Sequence, residues 1–194
     1  MTGLRHPLSW ARRHRRSILI FAAGGATLGV TLAAGGAIVS GFGLFPADAF
    51  TPHNPIVARI AHWTFVRSVR HHAGDEAPPR FTPEQVEAGF RQYEQDCVMC
   101  HGAPGVARAP WVTGMNPGPP YLMGAARRWT PAQMRWIVAN GAKMTGMPAW
   151  RVSRSDQQIW NLVGFLEAMS HMSAADYARM RASAQASGAA PKSR

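Results

Sequence analysis

The 194-residue chain has two cysteines, three positions apart, with a histidine directly after the second: Cys97-Val98-Met99-Cys100-His101. Scattering two Cys and eight His at random over this length gives that pattern with a probability on the order of one in a few thousand. A structural zinc site would need four ligands, and no second Cys pair or spaced His pair follows. A thioredoxin-like redox pair belongs in a βαβ pattern, which is absent. A simple disulfide accounts for the cysteines but leaves the adjacent histidine and the surrounding helical pattern unexplained. The motif is the attachment signal for c-type haem: two thioethers reach neighbouring vinyl groups, and His101 follows under the iron as its proximal ligand.

The net charge of +11 is what a nucleic-acid binder would carry, but its distribution argues against that partner. Residues 1–16 hold +5, 17–80 hold +1, 81–171 hold +2 and 172–194 hold +3. The domain-sized stretch is nearly neutral, so no phosphate-tracking groove is expected. The basic head consists of Arg5, Arg12, Arg13, Arg15 and Arg16, and no charged residue occurs from Ser17 to Ala47. A bilayer core needs about 20 helical residues, so 17–47 is expected to form one tilted transmembrane helix, with the head 1–16 in the cytoplasm. Pro46-Ala47-Asp48-Ala49 resembles a leader cleavage site, but a leader's apolar region is usually only about 7–15 residues. Gly25 and Gly29 have the spacing that lets a span pack on another helix; a weakly hydrophobic lone span fits equally.

Residues 48–80 read as a juxtamembrane linker. Ile56, Val57, Ile60, Trp63 and Thr64 share a helical face, with Arg59, Arg67 and Arg70 elsewhere around it. Such a helix lies at a membrane surface with Trp63 at headgroup level, or packs its apolar face on the domain or a partner; the sequence leaves both open. The domain, 81–171, opens at Thr82-Pro83-Glu84-Gln85, a capping box with proline at the first helical position. Val86, Phe90, Tyr93 and Cys97 then follow at helical spacing, so this helix delivers the first cysteine. Residues 102–129 are rich in Gly and Pro and read as an irregular loop. Thr130-Pro131-Ala132-Gln133 starts a short helix that stops at Asn140-Gly141. A third helix is expected from about 155 to 170, with the stripe Ile159, Leu162, Val163, Leu166 and Met169. The basic tail 172–194 is expected to hold a turn or two around Tyr177 and Met180 and to be disordered past Arg181.

A low-spin haem needs a sixth ligand, commonly a methionine thioether, a soft donor that raises the reduction potential. Met147 is expected in that role. It lies in Lys143-Met144-Thr145-Gly146-Met147-Pro148-Ala149-Trp150, where Gly146 permits close backbone approach and Pro148 biases Met147 towards extended backbone. Met144 is the rival, without the Gly and Pro flanks.

With these residues in view, 82–171 resembles the class I monohaem cytochrome c family, in the branch that includes cbb3 oxidase subunit III-like domains. Gly89-x-x-x-Tyr93-x-x-x-Cys97 is similar to that family's first helix, whose glycine lets the C-terminal helix cross closely; Trp160 and Phe165 are the expected contacts. The run from Gly141 through Trp150 resembles the axial-methionine segment, Gly-Met-Pro-Ala being its most specific part. The resemblance implies a proline carbonyl that accepts the proximal histidine's Nδ1 hydrogen: Pro119 is the expected acceptor, with Pro120 beside it left open. It also implies that Trp150 approaches a haem propionate, or else simply packs on the ring. The implied architecture is all-α, a class I cytochrome c fold around one covalent haem c, preceded by a single transmembrane helix in the bacterial inner membrane, with the haem domain in the periplasm.

With His101 and Met147 both bound, the iron has no open site, leaving outer-sphere electron transfer and a carrier rather than an enzyme. Phe90, Tyr93, Ile137, Val138, Leu162 and Leu166 are expected to line the cavity. Arg127, Arg128, Arg135, Lys143, Arg151 and Arg154 fall in the methionine-side half, and Glu84, Glu87, Glu94 and Asp96 on the first helix, a polarity suited to steering an acidic redox donor or acceptor. An ordinary solvated surface explains these charges too. Two roles remain: a tethered shuttle between a dehydrogenase-linked or quinol-linked donor and an oxidase, or a fixed subunit of a membrane oxidoreductase complex. A sensor or peroxidase would need the sixth site open.

Overall fold

One unbroken helix, α1 (Pro7–Gly41), takes in the arginines from Arg12 to Arg16 together with the uncharged stretch as far as Gly41, short of the expected end at Ala47. The computed structural model describes residues 7–186, so the first six residues of the head and the last eight of the tail lie outside it. Within α1, the 28 residues His14–Gly41 are long and apolar enough to cross a membrane. At 1.5 Å per residue they span about 42 Å, more than a bilayer's hydrocarbon core of roughly 30 Å, which a tilted helix accommodates. Their surface is exposed throughout. A helix with this much exposed apolar surface is suited to membrane anchoring. The chain divides after Asp48, and α1 belongs to the first of its two units.

The second unit is all helix and loop among the described residues. Its helices are α2 (Pro55–His72), α3 (Pro83–Asp96), the single turn α4 (Val98–His101), α5 (Pro131–Asn140), α6 (Asp156–Met169) and α7 (Ala174–Ala186). Three of them start in the same way. Thr82, Thr130 and Ser155 accept from the backbone N–H three residues on, and Gln85, Gln133 and Gln158 accept the cap's own N–H in return. Each box satisfies two donors that a helix start leaves without an intrahelical partner, so the boundaries of α3, α5 and α6 follow directly from the sequence.

The principal contact crosses α3 over α6 at Gly89. A Cβ there would run into the Asn161 carbonyl oxygen and come within 2.9 Å of the Phe165 Cβ, so the crossing admits no side chain. Phe165 is one of the two contacts expected; Trp160 packs elsewhere, beside Phe81 and under the Arg135 guanidinium. Behind the crossing, Phe90 meets both Phe165 and Tyr177 edge-on at 5.5 Å between ring centres, and Tyr93 lies 5.2 Å from Phe165. The predicted α6 stripe of Ile159, Leu162, Val163, Leu166 and Met169 is buried in full.

The tail does not stop after a turn or two: α7 runs to Ala186 and belongs to the core through Tyr177, which is fully buried, and Ala184. Tyr177 donates to Glu94 at 2.5 Å, and Arg181 pairs with the same carboxylate at 2.9 Å. A stripe of one aromatic, one methionine and an alanine is too sparse to read as a buried face from its pattern. Of the placements left open for the apolar face of α2, the one on the domain is not taken: a different face docks. Val69 is fully buried, Phe65 meets Trp129 edge-on, and His72 stacks on Trp136 of α5, while Ile56, Val57, Ile60 and Trp63 remain exposed.

Because α3 and α6 meet backbone to backbone, Gly89→Ala is expected to destabilise the protein by roughly 3 kcal/mol, as overpacking does where neither neighbour can yield. Denaturant unfolding of the full chain, parent against variant, measures this.

Candidate functional site

The crossing at Gly89 fixes where α3 ends, and α3 ends at the cysteine. The Cys97 N–H bonds to the Tyr93 carbonyl as the last bond of α3, and the Cys97 carbonyl then accepts from Cys100 and His101 to start α4. Gly102 ends that turn at φ +63, and a Cβ there would lie 3.0 Å from both the Val106 carbonyl and the Tyr121 ring. Tyr93 ties helix to turn by donating to the Gly102 carbonyl at 2.5 Å. Burial raises the Tyr93 phenol above its ordinary pKa, which keeps it a donor.

His101 is only 9% exposed, and its Nδ1 lies 2.7 Å from the Pro120 carbonyl oxygen. The expected acceptor was Pro119; the structure selects its neighbour. Two adjacent prolines are equivalent by sequence, and the register is set by Tyr121, whose ring lodges against Gly102 and under the Arg108 guanidinium at 3.5 Å. With Nδ1 donating to a carbonyl, Nε2 is the bare nitrogen, the tautomer a metal-ligating histidine takes. Burial holds the imidazole below its ordinary pKa, the Pro120 carbonyl opposes this, and the Arg108 charge works in the same direction as burial. Cys97 is buried and its thiol is pushed up to about 12, chiefly by burial, with Asp96 and Cys100 adding to it; Cys100 is half-buried.

Forty residues on from His101, α5 stops at Gly141, where φ is +66 and a Cβ would lie 2.6 Å from the Met147 carbonyl oxygen and from Pro148. Loop 142–147 closes on itself there. The Ala142 N–H donates to the Met147 carbonyl at 3.2 Å, and the Thr145 hydroxyl donates to Ala142 while accepting the Met147 N–H at 3.1 Å. Both backbone groups of Met147 are thereby held, and its side chain is half-buried. Met144 sits at φ +60 with its side chain 90% exposed, turned away from the core. The close approach expected at Gly146 involves only the terminal methyl of Met115, a flexible group, so the glycine this loop requires is Gly141. Trp150 is half-buried in a 3₁₀ turn against the core, with the Arg154 guanidinium 5.8 Å above its ring.

Asp96 and Arg154 connect the two segments. Arg154 donates from Nε at 3.0 Å and from the terminal nitrogen at 2.6 Å to one Asp96 oxygen, and the side chains are only 22% and 10% exposed. The residue before Cys97 is thus bound to the turn that follows Met147. By sequence these two had been assigned to opposite charged surfaces; paired, neither is available to steer a partner. Arg135 is likewise engaged by Glu76 and Asp156, and Glu87 by Arg91. Of the expected cavity residues, Val138, Leu162 and Leu166 are buried and Ile137 half-buried, but Phe90 and Tyr93 turn to Phe165 and the helix crossing. By sequence Asp96 and Arg154 carry no sign of their pairing, and Gly141 marks the helix end and the start of the methionine segment without showing that its backbone admits no side chain.

Among the described residues no group of three or more His, Cys, Asp or Glu side chains gathers in metal-binding reach. In the turn at 97–101 the donors are the His101 nitrogen and the Cys97 and Cys100 sulfurs. Residues 84–166 match the family described as cytochrome C oxidase, cbb3-type, subunit III. The chain therefore carries a cbb3-type cytochrome oxidase subunit III-like domain from α3 through most of α6, a c-type haem-binding type whose members are electron carriers rather than catalysts. No curated protein matches the chain.

Replacing Arg154 leaves the Asp96 carboxylate buried without its partner. Arg154→Leu is expected to cost about 2 kcal/mol in denaturant unfolding, with much of the loss recovered in the Asp96→Asn, Arg154→Leu double variant.

Proposed function

We propose that the cbb3-type subunit III-like domain binds one haem c by thioether bonds to Cys97 and Cys100, takes His101 Nε2 and Met147 Sδ as iron ligands, and carries single electrons between redox proteins. The observation that carries this reading is His101: it is buried, sits in the same turn as both cysteines, and has Nδ1 fastened to Pro120 so that Nε2 is bare. The residues fit the group. Two thiols three apart on one turn suit neighbouring vinyl carbons, and an imidazole with a thioether is a donor pair that favours the reduced iron. When bound, haem supplies a one-electron ferric/ferrous couple.

The chain's own residues do the remaining work. Pro120 fixes the tautomer and ring plane of His101 and makes it a stronger donor. The closed loop 142–147 limits the freedom of Met147, so its thioether would stay on a bound iron and leave no room there for oxygen or peroxide. Asp96 and Arg154 hold the cysteine and methionine segments in one frame. Trp150, half-buried beside them, is the aromatic wall on the methionine side.

In this reading residues 1–16 form the cytoplasmic head, 17–47 the anchor in a bacterial inner membrane, 48–80 the linker, 81–171 the periplasmic haem domain, and 172–194 a basic segment whose α7 extends the domain. Arg127, Arg128, Lys143 and Arg151 offer positive charge to an acidic donor or acceptor. A glycine-rich anchor together with an oxidase-subunit family suits a fixed seat in a membrane complex as well as a tethered shuttle.

The oxidised protein is expected to show the weak near-red absorption band of methionine sulfur on ferric haem. Met147→Ala should abolish the band and Met144→Ala should leave it. Loss with Met144→Ala alone would overturn the ligand assignment; a band absent from the parent would overturn the His/Met pair.

A further inference from the structure

Helix α2 has two faces, and the domain uses one of them. Phe65, Val69 and His72 recur at helical spacing and dock on Trp129, on α5 and on the core. At 100° per residue, the line through Ile56, Ile60, Trp63, Arg67 and Arg70 runs along the opposite side of the cylinder. Its first half is apolar and bare: Ile56 is 69% exposed, Ile60 58% and Trp63 63%, with Val57 alongside. Its second half is basic. Arg67 lies 5.8 Å over the Trp63 ring, and Arg67, Arg70 and His71 line an open cleft. Arg59 adds a further positive charge, and α2 contains no acidic residue.

We propose that this outer face of α2 is a membrane-docking surface: Ile56, Ile60 and Trp63 enter the headgroup–acyl boundary of a bilayer, and Arg67 and Arg70 bind the phosphates of anionic lipids. Three observations favour a lipid surface. The order of side chains, an apolar ridge with an interfacial tryptophan and then a cationic cleft, matches the depth profile of a bilayer surface read from its acyl boundary outward. A second copy of this chain would bring Arg59, Arg67 and Arg70 against the same charges, since the face carries no acid to answer them. The membrane is also close by covalent connection. Only residues 42–54 separate the end of α1 from the start of α2, a tether of at most roughly 45 Å when fully extended, so an anchored chain holds this face at high effective concentration near lipid.

The consequence is orientational. Because the inner face of α2 is packed on α5, seating the outer face would fix how the whole second unit stands on the membrane, including the turn that bears His101. A domain free to turn on the segment that follows α1 would instead present every side in turn.

The test uses the full-length protein reconstituted into vesicles, with a nitroxide attached at Ile60→Cys and, for comparison, at Gln157→Cys on the exposed side of α6; the parent chain treated identically reports labelling of native cysteines. Power-saturation spectroscopy compares accessibility to oxygen, which partitions into lipid, with that to a water-soluble nickel complex. In phosphatidylglycerol vesicles the label at 60 is expected to favour oxygen by several-fold, and the label at 157 to favour nickel. In phosphatidylcholine vesicles, or with Arg67→Glu and Arg70→Glu added, the label at 60 should revert to the aqueous pattern. Three results would each overturn the proposal. A nickel-accessible label at 60 in phosphatidylglycerol means the face stays in water. Low accessibility to both reagents means a protein covers it. Equal insertion in both lipids removes Arg67 and Arg70 from phosphate binding.

Discussion

Everything in the second unit is referred to one close contact, the backbone of α3 at Gly89 against the Asn161 carbonyl of α6. Without a side chain between them the helices approach at a fixed distance and angle, and the aromatic cluster of Phe90, Tyr93, Phe165 and Tyr177 fills the space behind. The direction of α3 then determines where Cys97 emerges. Tyr93, one turn before the cysteine, uses its ring to hold the crossing and its hydroxyl to hold Gly102, so packing and chemistry meet in a single residue.

From that end the site is built by local ties. The Pro120 carbonyl orients His101 from the loop, Gly141 and Thr145 fold the methionine segment onto itself, and Arg154 spans back to Asp96 beside the first cysteine. Two segments more than forty residues apart are thereby held by hydrogen bonds that do not depend on whatever lies between them. That preorganisation is what a carrier requires, since electron exchange is fastest when the ligands need not move as the charge changes. It also separates two kinds of charge in the chain. Asp96 and Arg154 are spent on each other, and Arg135 on Glu76 and Asp156, whereas Arg67 and Arg70 on α2's outer face stand apart from these ion pairs.

How legible each part was depends on the range of the physics. The three capping boxes and the α6 stripe are written within four or five residues, and those helices begin and end as expected. The motif at 97–101 is equally local. Choosing Pro120 over Pro119 was beyond reach because it depends on the packing of Tyr121, which no spacing encodes. Gly146 drew attention by standing next to Met147, yet the residue whose backbone excludes a side chain is Gly141, across a turn that only the fold closes. The pairing of Asp96 with Arg154 crosses 58 positions, and α7 packs through too few apolar residues to announce itself. The amphipathic pattern of α2 was visible, but which face meets the domain was not.

Whether Cys97 and Cys100 carry a covalent haem is tested most directly by mass spectrometry of the protein after acid–organic extraction. Free haem is removed by that treatment and thioether-bound haem is not. The prediction is a chain heavier than its sequence by one haem, with the added mass on the peptide containing Cys97 to His101 and absent from the Cys97→Ala, Cys100→Ala double variant. A chain at its sequence mass with two free thiols, or lighter by the two hydrogens of a disulfide, from cells that mature c-type cytochromes, would contradict it.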